Sequence, residues 1–346
     1  MQHQEIKYHS VRLQNLEIGY DAGRKNEHKV FGPLSLESNT AEMVCLIGRN
    51  GVGKSTLLRT IAGLQAQIAG KVCFDNMDIN KLPASDRAKR ISYVSTEPVH
   101  VSQMKAGELI ALGRTPHTGW FGRLSDTHLY KIHKAAELTG IHSLLQKHLH
   151  ELSDGERQKV MIARALAQDT PVIVLDEPTA FLDLPSRYEI VQLLSDLTMK
   201  AGKTILFSTH DLSMAIDVAD KIWLMTDKEI YEGAPEDLLI NGVFRKLFDS
   251  SSIEFDSKTS VFRFIRKPDN TVLLTGEKKF RMITVKALER VGFTAEGNEN
   301  CKINIHIKEE NSRPCWELEI NKIRRTFHTV YDMTVFLKKL KDHDIN

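Results

Sequence analysis

The chain has 346 residues, of which 41% are hydrophobic and 27% are charged, and its formal net charge is +2. This length favours two domains, and the near balance of charge argues against nucleic acid or an anionic membrane as the main partner. The four cysteines form no Cys-x-x-Cys pair, which is typical of a reducing compartment. Since neither a signal peptide nor an apolar run of roughly 20 residues is present, we expect a soluble cytoplasmic chain.

The first two thirds of the chain alternate between short strands and helices. Residues 10–20 alternate apolar and polar side chains, which predicts a strand with one buried face. Continuous apolar runs predict strands buried on both faces at Met43–Ile47, Val172–Leu175 and Thr204–Ser208. Helices are predicted at Thr56–Ala62 and at Pro185–Ala201. This order predicts an α/β domain with a parallel sheet covered on both faces.

Two segments depart from the alternation. A helical insertion is predicted at about 99–165, because amphipathic helical patterns without strand runs follow residue 99. Past residue 250 the pattern predicts strands at Val261–Ile265, Thr271–Leu274, Lys302–Ile307 and Trp316–Ile320, and helices at Ile283–Val291 and Val330–Leu340. We therefore predict one domain at 1–250 and a small α+β accessory domain, of no assigned role, at 251–346.

A glycine-rich segment between the strand at 43–47 and the helix at 56–62 carries the strongest chemical signal. It has the Gly-x-x-x-x-Gly-Lys-Ser spacing of a P-loop in the strand–helix context that this motif requires. Lys54 is expected to reach the outer phosphates of a nucleotide, and the Ser55 hydroxyl to ligate magnesium. The backbone N–H groups converge on phosphate oxygens. The predicted phosphate-binding residues are Gly48, Arg49, Asn50, Gly51, Val52, Gly53, Lys54, Ser55 and Thr56.

Two adjacent carboxylates follow the predicted strand Val172–Leu175. A nucleoside triphosphate site needs a second contact to magnesium and a group that orients or activates water. Asp176 is predicted to lie near the metal, and Glu177 near the terminal phosphate. An Asp-Glu pair at a strand end is weak evidence alone, but it becomes strong in combination with the phosphate loop.

The segment Leu-Ser-Asp-Gly-Glu-Arg-Gln at 152–158 completes a resemblance to the nucleotide-binding subunits of ABC transporters over roughly residues 8–250. The resemblance implies a P-loop NTPase core with a parallel sheet, an antiparallel β subdomain and a helical insertion, with ATP and Mg²⁺ as cofactors. It also implies a dimer in which Ser153, Gly155 and Glu156 of one copy face the ATP bound by the other. Asp154 and Glu156 stand where the commonest family pattern has glycine and glutamine.

Further catalytic and binding roles follow only from this resemblance. Glu177 would polarise the attacking water, His210 would sense the terminal phosphate, and Lys54 would neutralise developing charge. Asp183 would contact the partner copy, and Tyr20 would stack on adenine.

A further family position departs from the pattern. The strand Ile-Ser-Tyr-Val at 91–94 leads to Thr96, where the family has a glutamine that ligates magnesium, and Glu97 follows. We predict that Thr96 contacts the metal through a water, or that Glu97 turns in only when the dimer closes. A third interpretation is that Thr96 is a passive spacer.

The segment Glu-Leu-Ile-Ala-Leu-Gly-Arg-Thr-Pro-His at 108–117 is similar to that of ATPases from iron-siderophore, haem and cobalamin importers. The resemblance implies an ATPase on the cytoplasmic face of the inner membrane, coupled to permease subunits and indirectly to a periplasmic or lipoprotein substrate-binding protein. Two alternatives stay open: a soluble non-transport ABC ATPase, and an ATP-binding regulator without turnover. The histidines between residues 100 and 150 lack the spacing of a metal-ligand pair, which favours a solvated face.

Overall fold

A computed structural model describes residues 10–97, 103–119, 122–247, 253–256, 261–264, 270–295, 298, 301–310, 312–321 and 323–343. The predicted start of the helical insertion at residue 99 and the end of the predicted strand at residue 265 lie outside these residues. The chain divides into two compact units. The first unit consists of Met1–Asp249 and Phe255–Val261, and the second consists of Ser250–Glu254 and Phe262–Asn346.

The first unit holds a mixed sheet and a smaller antiparallel sheet. Its strands are β1 (Val11–Tyr20), β2 (His28–Ser38), β3 (Met43–Gly48), β4 (Ala69–Phe74), β5 (Met77–Asp78), β6 (Ile91–Val94), β7 (Val172–Leu175), β8 (Thr204–Thr209), β9 (Lys221–Met225) and β10 (Ile230–Gly233). The mixed sheet has the order β10-β9-β3-β8-β7-β6, and only the β9–β10 pairing is antiparallel. The antiparallel sheet has the order β2-β1-β4-β5.

The first unit also contains helices, several of which pack on the mixed sheet. They are α1 (Lys54–Ile61), α2 (Ala84–Ala88), α3 (Ala106–Leu112), α4 (Asp126–Leu138), α5 (Asp154–Ala167), α6 (Leu184–Met199), α7 (Leu212–Val218) and α8 (Pro235–Ile240). The helices α3, α4 and α5 pack against one another and form the predicted helical part of this unit. The predicted fold class is confirmed: the unit is an α/β P-loop core with an antiparallel sheet and a helical insertion.

The burial of the central strands explains why their sequences lack alternation. Every residue of β3, β7 and β8 is buried, so these strands require apolar side chains on both faces. Because β3, β6, β7 and β8 run parallel, the residues that follow them lie at one edge of the sheet. The predicted site residues after these strands therefore meet at this edge.

The second unit has its own core. Its elements are β13 (Asn270–Thr271), β14 (Leu273–Gly276), α9 (Lys278–Arg290), β15 (Phe293–Thr294), β16 (Ile303–Glu310), β17 (Arg313–Ile320), β18 (Ile323–Phe327) and α10 (Val330–His343), and the chain before them contains β11 (Ile253–Asp256) and β12 (Val261–Phe264). The main sheet has the order β14-β16-β17-β18, with β14 parallel to β16. The fully buried Leu288 and Leu337 bring α9 and α10 into this core. A hydrogen bond of 2.9 Å from Trp316 Nε1 to Thr284 Oγ1 joins β17 to α9.

One sequence-based expectation for the second unit is wrong, and the sequence also left β18 unpredicted. The single strand predicted at Thr271–Leu274 is two strands, because β13 pairs with β15 whereas β14 pairs with β16. The strand β18 was not predicted, because consecutive exposed arginines, Arg324 and Arg325, obscure its alternation. Among the described residues, no helix combines the length and the apolar character needed to cross a membrane.

Candidate active site

The phosphate loop is curled around the Lys54 side chain. Lys54 Nζ donates hydrogen bonds to the carbonyl oxygens of Gly48, at 2.9 Å, and Arg49, at 3.1 Å. The backbone of Gly51 and Gly53 has φ angles of +81° and +113°, a region that favours glycine. A Cβ atom at Gly48 would also lie only 2.6 Å from the Met225 carbonyl oxygen. The spacing of glycines in the sequence is therefore a requirement of this loop's shape.

Tyr20 lies beside the start of α1. Its hydroxyl is 3.1 Å from Thr56 Oγ1, and the residue is 51% exposed. Half of the tyrosine surface is thus open to solvent next to the phosphate loop, while its hydroxyl is held to a buried residue of α1. The predicted stacking of Tyr20 on adenine stays a prediction.

The structure brings Lys54, Glu177 and His210 together. Glu177 Oε1 is 3.9 Å from Lys54 Nζ, and Glu177 Oε2 is 3.8 Å from His210 Nδ1. The Glu177 backbone adopts a φ of +47°, and its N–H donates a 2.9 Å hydrogen bond to Ser208 Oγ. Burial lowers the pKa of Lys54, and the carboxylates of Glu177 and Asp176 oppose this effect. A carboxylate in this position is a candidate general base for a water that lies within hydrogen-bond reach of it.

Asp176 is the most buried acidic residue of the site, at 3% exposure. Its Oδ1 accepts a hydrogen bond of 2.8 Å from Ser208 Oγ, and its Oδ2 accepts one of 3.3 Å from the Tyr93 hydroxyl. Each carboxylate oxygen retains a lone pair for a cation. Two hydroxyl donors therefore fix the orientation of this carboxylate.

The oxygen atoms at this edge suit magnesium. The described residues contain no group of three or more His, Cys, Asp or Glu side chains that could hold a metal ion. Magnesium is commonly held by one or two carboxylates together with substrate phosphates and waters, so Ser55 and Asp176 fit that pattern. Ser55 is exposed in the first turn of α1.

The Thr96 hydroxyl is already engaged in a hydrogen bond to the backbone. Its Oγ1 donates a 2.7 Å hydrogen bond to the Asp176 carbonyl oxygen, which leaves its lone pairs to accept from a water. Glu97 Oε1 lies 3.5 Å from Arg59 Nη2, and 82% of its side chain is exposed. Glu97 thus points to α1 in this structure. The water-mediated contact of Thr96 with the metal stays a prediction.

The residues predicted to act across a dimer lie at helix starts. Ser153 Oγ accepts a 3.2 Å hydrogen bond from the Glu156 N–H, and Glu156 Oε2 accepts a 2.9 Å hydrogen bond from the Ser153 N–H. This capping box begins α5, and the Ser153 N–H lowers the pKa of Glu156. A Cβ atom at Gly155 would lie 2.9 Å from Ser186 Oγ of α6. Asp183 caps α6 by accepting a 3.0 Å hydrogen bond from the Ser186 N–H.

Three residues near the site were missed by the sequence reasoning: Ser208, Tyr93 and Arg59. Ser208 follows Phe207, which pairs with Leu175, so the serine lies beside Asp176. A polar residue at the end of a buried strand next to the Asp-Glu strand was a usable signal. Tyr93 and Arg59 gave no comparable signal, because a tyrosine in a strand and an arginine in a helix are ordinary.

Comparison with known proteins decides the family. Residues 31–180 match the family model described as ABC transporter. An uncharacterized ABC transporter ATP-binding protein of Methanocaldococcus jannaschii is 37% identical over 259 residues, which cover 75% of this chain and 88% of the relative. The chain belongs to the ABC transporter ATP-binding family. Homologues in this family are ATPases coupled to transport.

Other matches extend this identification. The iron(3+)-hydroxamate import ATP-binding protein FhuC of Bacillus subtilis is 34% identical over 253 residues, covering 72% of this chain and 92% of FhuC. A solved dimeric bacterial ABC transporter cassette, MJ0796, superimposes with a TM-score of 0.57 at 27% identity and covers 65% of this chain and 98% of that cassette. Residues 269–338 match the model described as iron ABC transporter C-terminal domain. The sequence reasoning assigned no motif to this segment.

Proposed function

We propose that the chain is the ATP-hydrolysing subunit of an importer of chelated iron, acting as a dimer beneath permease subunits on the cytoplasmic face of a membrane. The observation that carries the enzymatic part is the Glu177 carboxylate, 3.9 Å from Lys54 Nζ and 3.8 Å from His210 Nδ1 at the end of a buried strand. The match of residues 269–338 to an iron-transporter domain supports iron as the cargo, as does the similarity to an iron(3+)-hydroxamate import protein.

The positions of the side chains support the catalytic roles that we propose. Glu177 accepts a proton from the attacking water, and Lys54 and His210 stabilise the charge on the terminal phosphate. When bound, Mg²⁺ neutralises charge on the phosphate oxygens. We assign its protein ligands as the Ser55 hydroxyl and the Asp176 carboxylate, with Thr96 acting through a water. The backbone N–H groups of the loop from Gly48 to Thr56 hold the phosphates.

The second copy completes each site in this proposal. Ser153, Gly155 and Glu156 begin a helix of 14 residues, and the backbone N–H groups at such a start favour an anion. Facing the phosphate loop of a partner copy, they would close over the bound ATP, while Asp183 lies against the partner and Tyr20 stacks on adenine. The dimeric state of the similar solved cassette supports this arrangement.

The cargo assignment is tested on the complex purified with its permease and substrate-binding protein in lipid vesicles. We expect ferric siderophores to stimulate ATP hydrolysis, with the metal-free siderophores as matched controls. A complex containing Glu177→Gln supplies the background rate. Stimulation by haem alone would make haem the iron chelate that is carried, whereas stimulation by cobalamin alone would contradict the iron assignment and leave the ATPase assignment intact. A complex that binds ATP without hydrolysing it would favour the regulator, and a chain that purifies without any permease would favour the soluble ATPase.

A further inference from the structure

A line of polar side chains connects the protein surface to the magnesium carboxylate. It consists of Glu97, Arg59, Tyr93 and Asp176, which come from the segment after β6, from α1, from β6 and from the end of β7. Arg59 Nη2 lies 3.5 Å from Glu97 Oε1, and the neighbouring Tyr93 side chain raises the pKa of Arg59. The Tyr93 hydroxyl in turn donates to Asp176 Oδ2 at 3.3 Å. We name these four residues the Glu97–Asp176 relay.

The hydroxyl of Tyr93 donates its one proton to Asp176 Oδ2. A phenol keeps its proton at neutral pH, because its ordinary pKa is about 10. The hydroxyl therefore acts as a donor to the Asp176 carboxylate at neutral pH.

Thr96, at the family's glutamine position, does not orient the Asp176 carboxylate. The Thr96 hydroxyl donates to the backbone carbonyl oxygen of Asp176, so its proton is not directed at the carboxylate. The side-chain oxygens of Asp176 are held instead by Ser208 and Tyr93. Removing Ser208 would also free the Glu177 N–H, whereas among the described residues the hydrogen bond of the Tyr93 hydroxyl goes to Asp176.

We propose that Tyr93 is a positioning residue that orients the Asp176 carboxylate for magnesium, and that the Arg59–Glu97 ion pair holds Tyr93 in place. The proposal rests on the magnesium role given to Asp176 above. Glu97 is the exposed end of the relay. Its negative charge offsets the positive charge of Arg59, and that positive charge also acts on Asp176. Without Glu97, the Arg59 guanidinium competes more strongly with a cation for Asp176.

The test measures metal binding directly rather than turnover. The full-length chain is loaded with a non-hydrolysable ATP analogue, and Mn²⁺ affinity is measured by electron paramagnetic resonance. Tyr93→Phe is expected to weaken Mn²⁺ binding about tenfold, since loss of a partner that orients a metal ligand typically has effects of this size. Glu97→Gln is expected to weaken it roughly two- to fivefold, as befits an exposed ion pair. Affinity for the analogue in EDTA is expected to be unchanged in both variants.

A matched control is Tyr231→Phe. Tyr231 also lies between a carboxylate and a cation, because its hydroxyl bonds to Glu229 and accepts from Lys246 Nζ at 2.6 Å. Its loss is expected to leave Mn²⁺ affinity unchanged. Wild-type affinity in Tyr93→Phe would overturn the proposal. If thermal unfolding shows that Tyr93→Phe does not fold, Glu97→Gln decides, and unchanged Mn²⁺ affinity there overturns the relay. Failure of the relay is distinguishable from failure of the proposed magnesium site itself. In the second case the wild-type chain, too, would bind no Mn²⁺ together with the analogue.

Discussion

Replacing Glu177 with glutamine is expected to lower the rate of ATP hydrolysis by about 10² to 10⁴, the contribution typical of a positioned general base. The amide keeps the shape of the side chain but does not accept a proton from water. ATP binding is expected to persist, because the loop contacts of Lys54 to Gly48 and Arg49 are independent of the Glu177 carboxylate. The measurements are steady-state phosphate release and ATP affinity on the same preparation.

The matched control for this variant is Glu232→Gln, at an exposed residue of β10 outside the site. It removes the same charge and is expected to keep the wild-type rate. If Glu177→Gln hydrolyses ATP as fast as Glu232→Gln, another group accepts the proton and the role given to Glu177 is wrong. Weaker ATP binding with an unchanged rate would make Glu177 a binding residue.

Replacing Lys54 with alanine is expected to weaken ATP binding roughly ten- to a hundredfold. The reason is that a hydrogen bond to a charged group contributes about 1.5–3 kcal/mol. The ammonium lies within the curl of the phosphate loop and is only 5% exposed. Its loss removes the positive charge that meets the outer phosphates. Titration with a fluorescent ATP analogue measures this affinity, and thermal unfolding checks that the loop has not melted.

Lys228→Ala serves as the control for Lys54→Ala, because Lys228 is an exposed lysine after β9 that the proposed mechanism does not use. Its ATP affinity is expected to match that of the wild type. An unchanged affinity in Lys54→Ala would show that the loop does not hold the phosphates in the manner proposed.

The central strands could be predicted from the sequence because burial on both faces leaves a clear pattern. The runs at Met43–Ile47, Val172–Leu175 and Thr204–Ser208 all lie in observed strands, which differ by at most one residue at their ends. The adjacent phosphate loop and Asp-Glu pair then follow from strand ends. In these cases local sequence and tertiary position carry the same information.

The second unit shows where this agreement stops. The apolar run Thr271–Leu274 predicts an extended segment but not its partners, and β13 and β14 join different sheets. Strand partners are set by the whole arrangement of the sheet, which periodicity does not encode. Arg325 illustrates the same limit, because this arginine of β18 lies 4.7 Å from the Phe336 ring centre, where it covers an apolar residue of α10.

The site has a similar division. Lys54, Asp176 and Glu177 stand in motifs whose spacing reflects their chemistry, so they could be identified without coordinates. The Arg59 and Tyr93 pair could not, because 34 positions separate these residues and only the tertiary fold brings them near Asp176. The predicted roles of Tyr20, Ser153 and Asp183 depend on a nucleotide or a partner copy, and they stay predictions.

Mixing two inactive variants tests the central claim, a composite ATPase site shared by two copies, most directly. Lys54→Ala disables the phosphate loop, and Ser153→Arg disables the start of α5 that we propose to face the partner. In a mixed dimer both changes fall in one site, and the other site is intact. An equal mixture is expected to recover about a quarter of the wild-type ATPase rate, since half of the dimers are mixed and each has one intact site. No recovery, in a mixture shown to contain mixed dimers, would contradict the composite site.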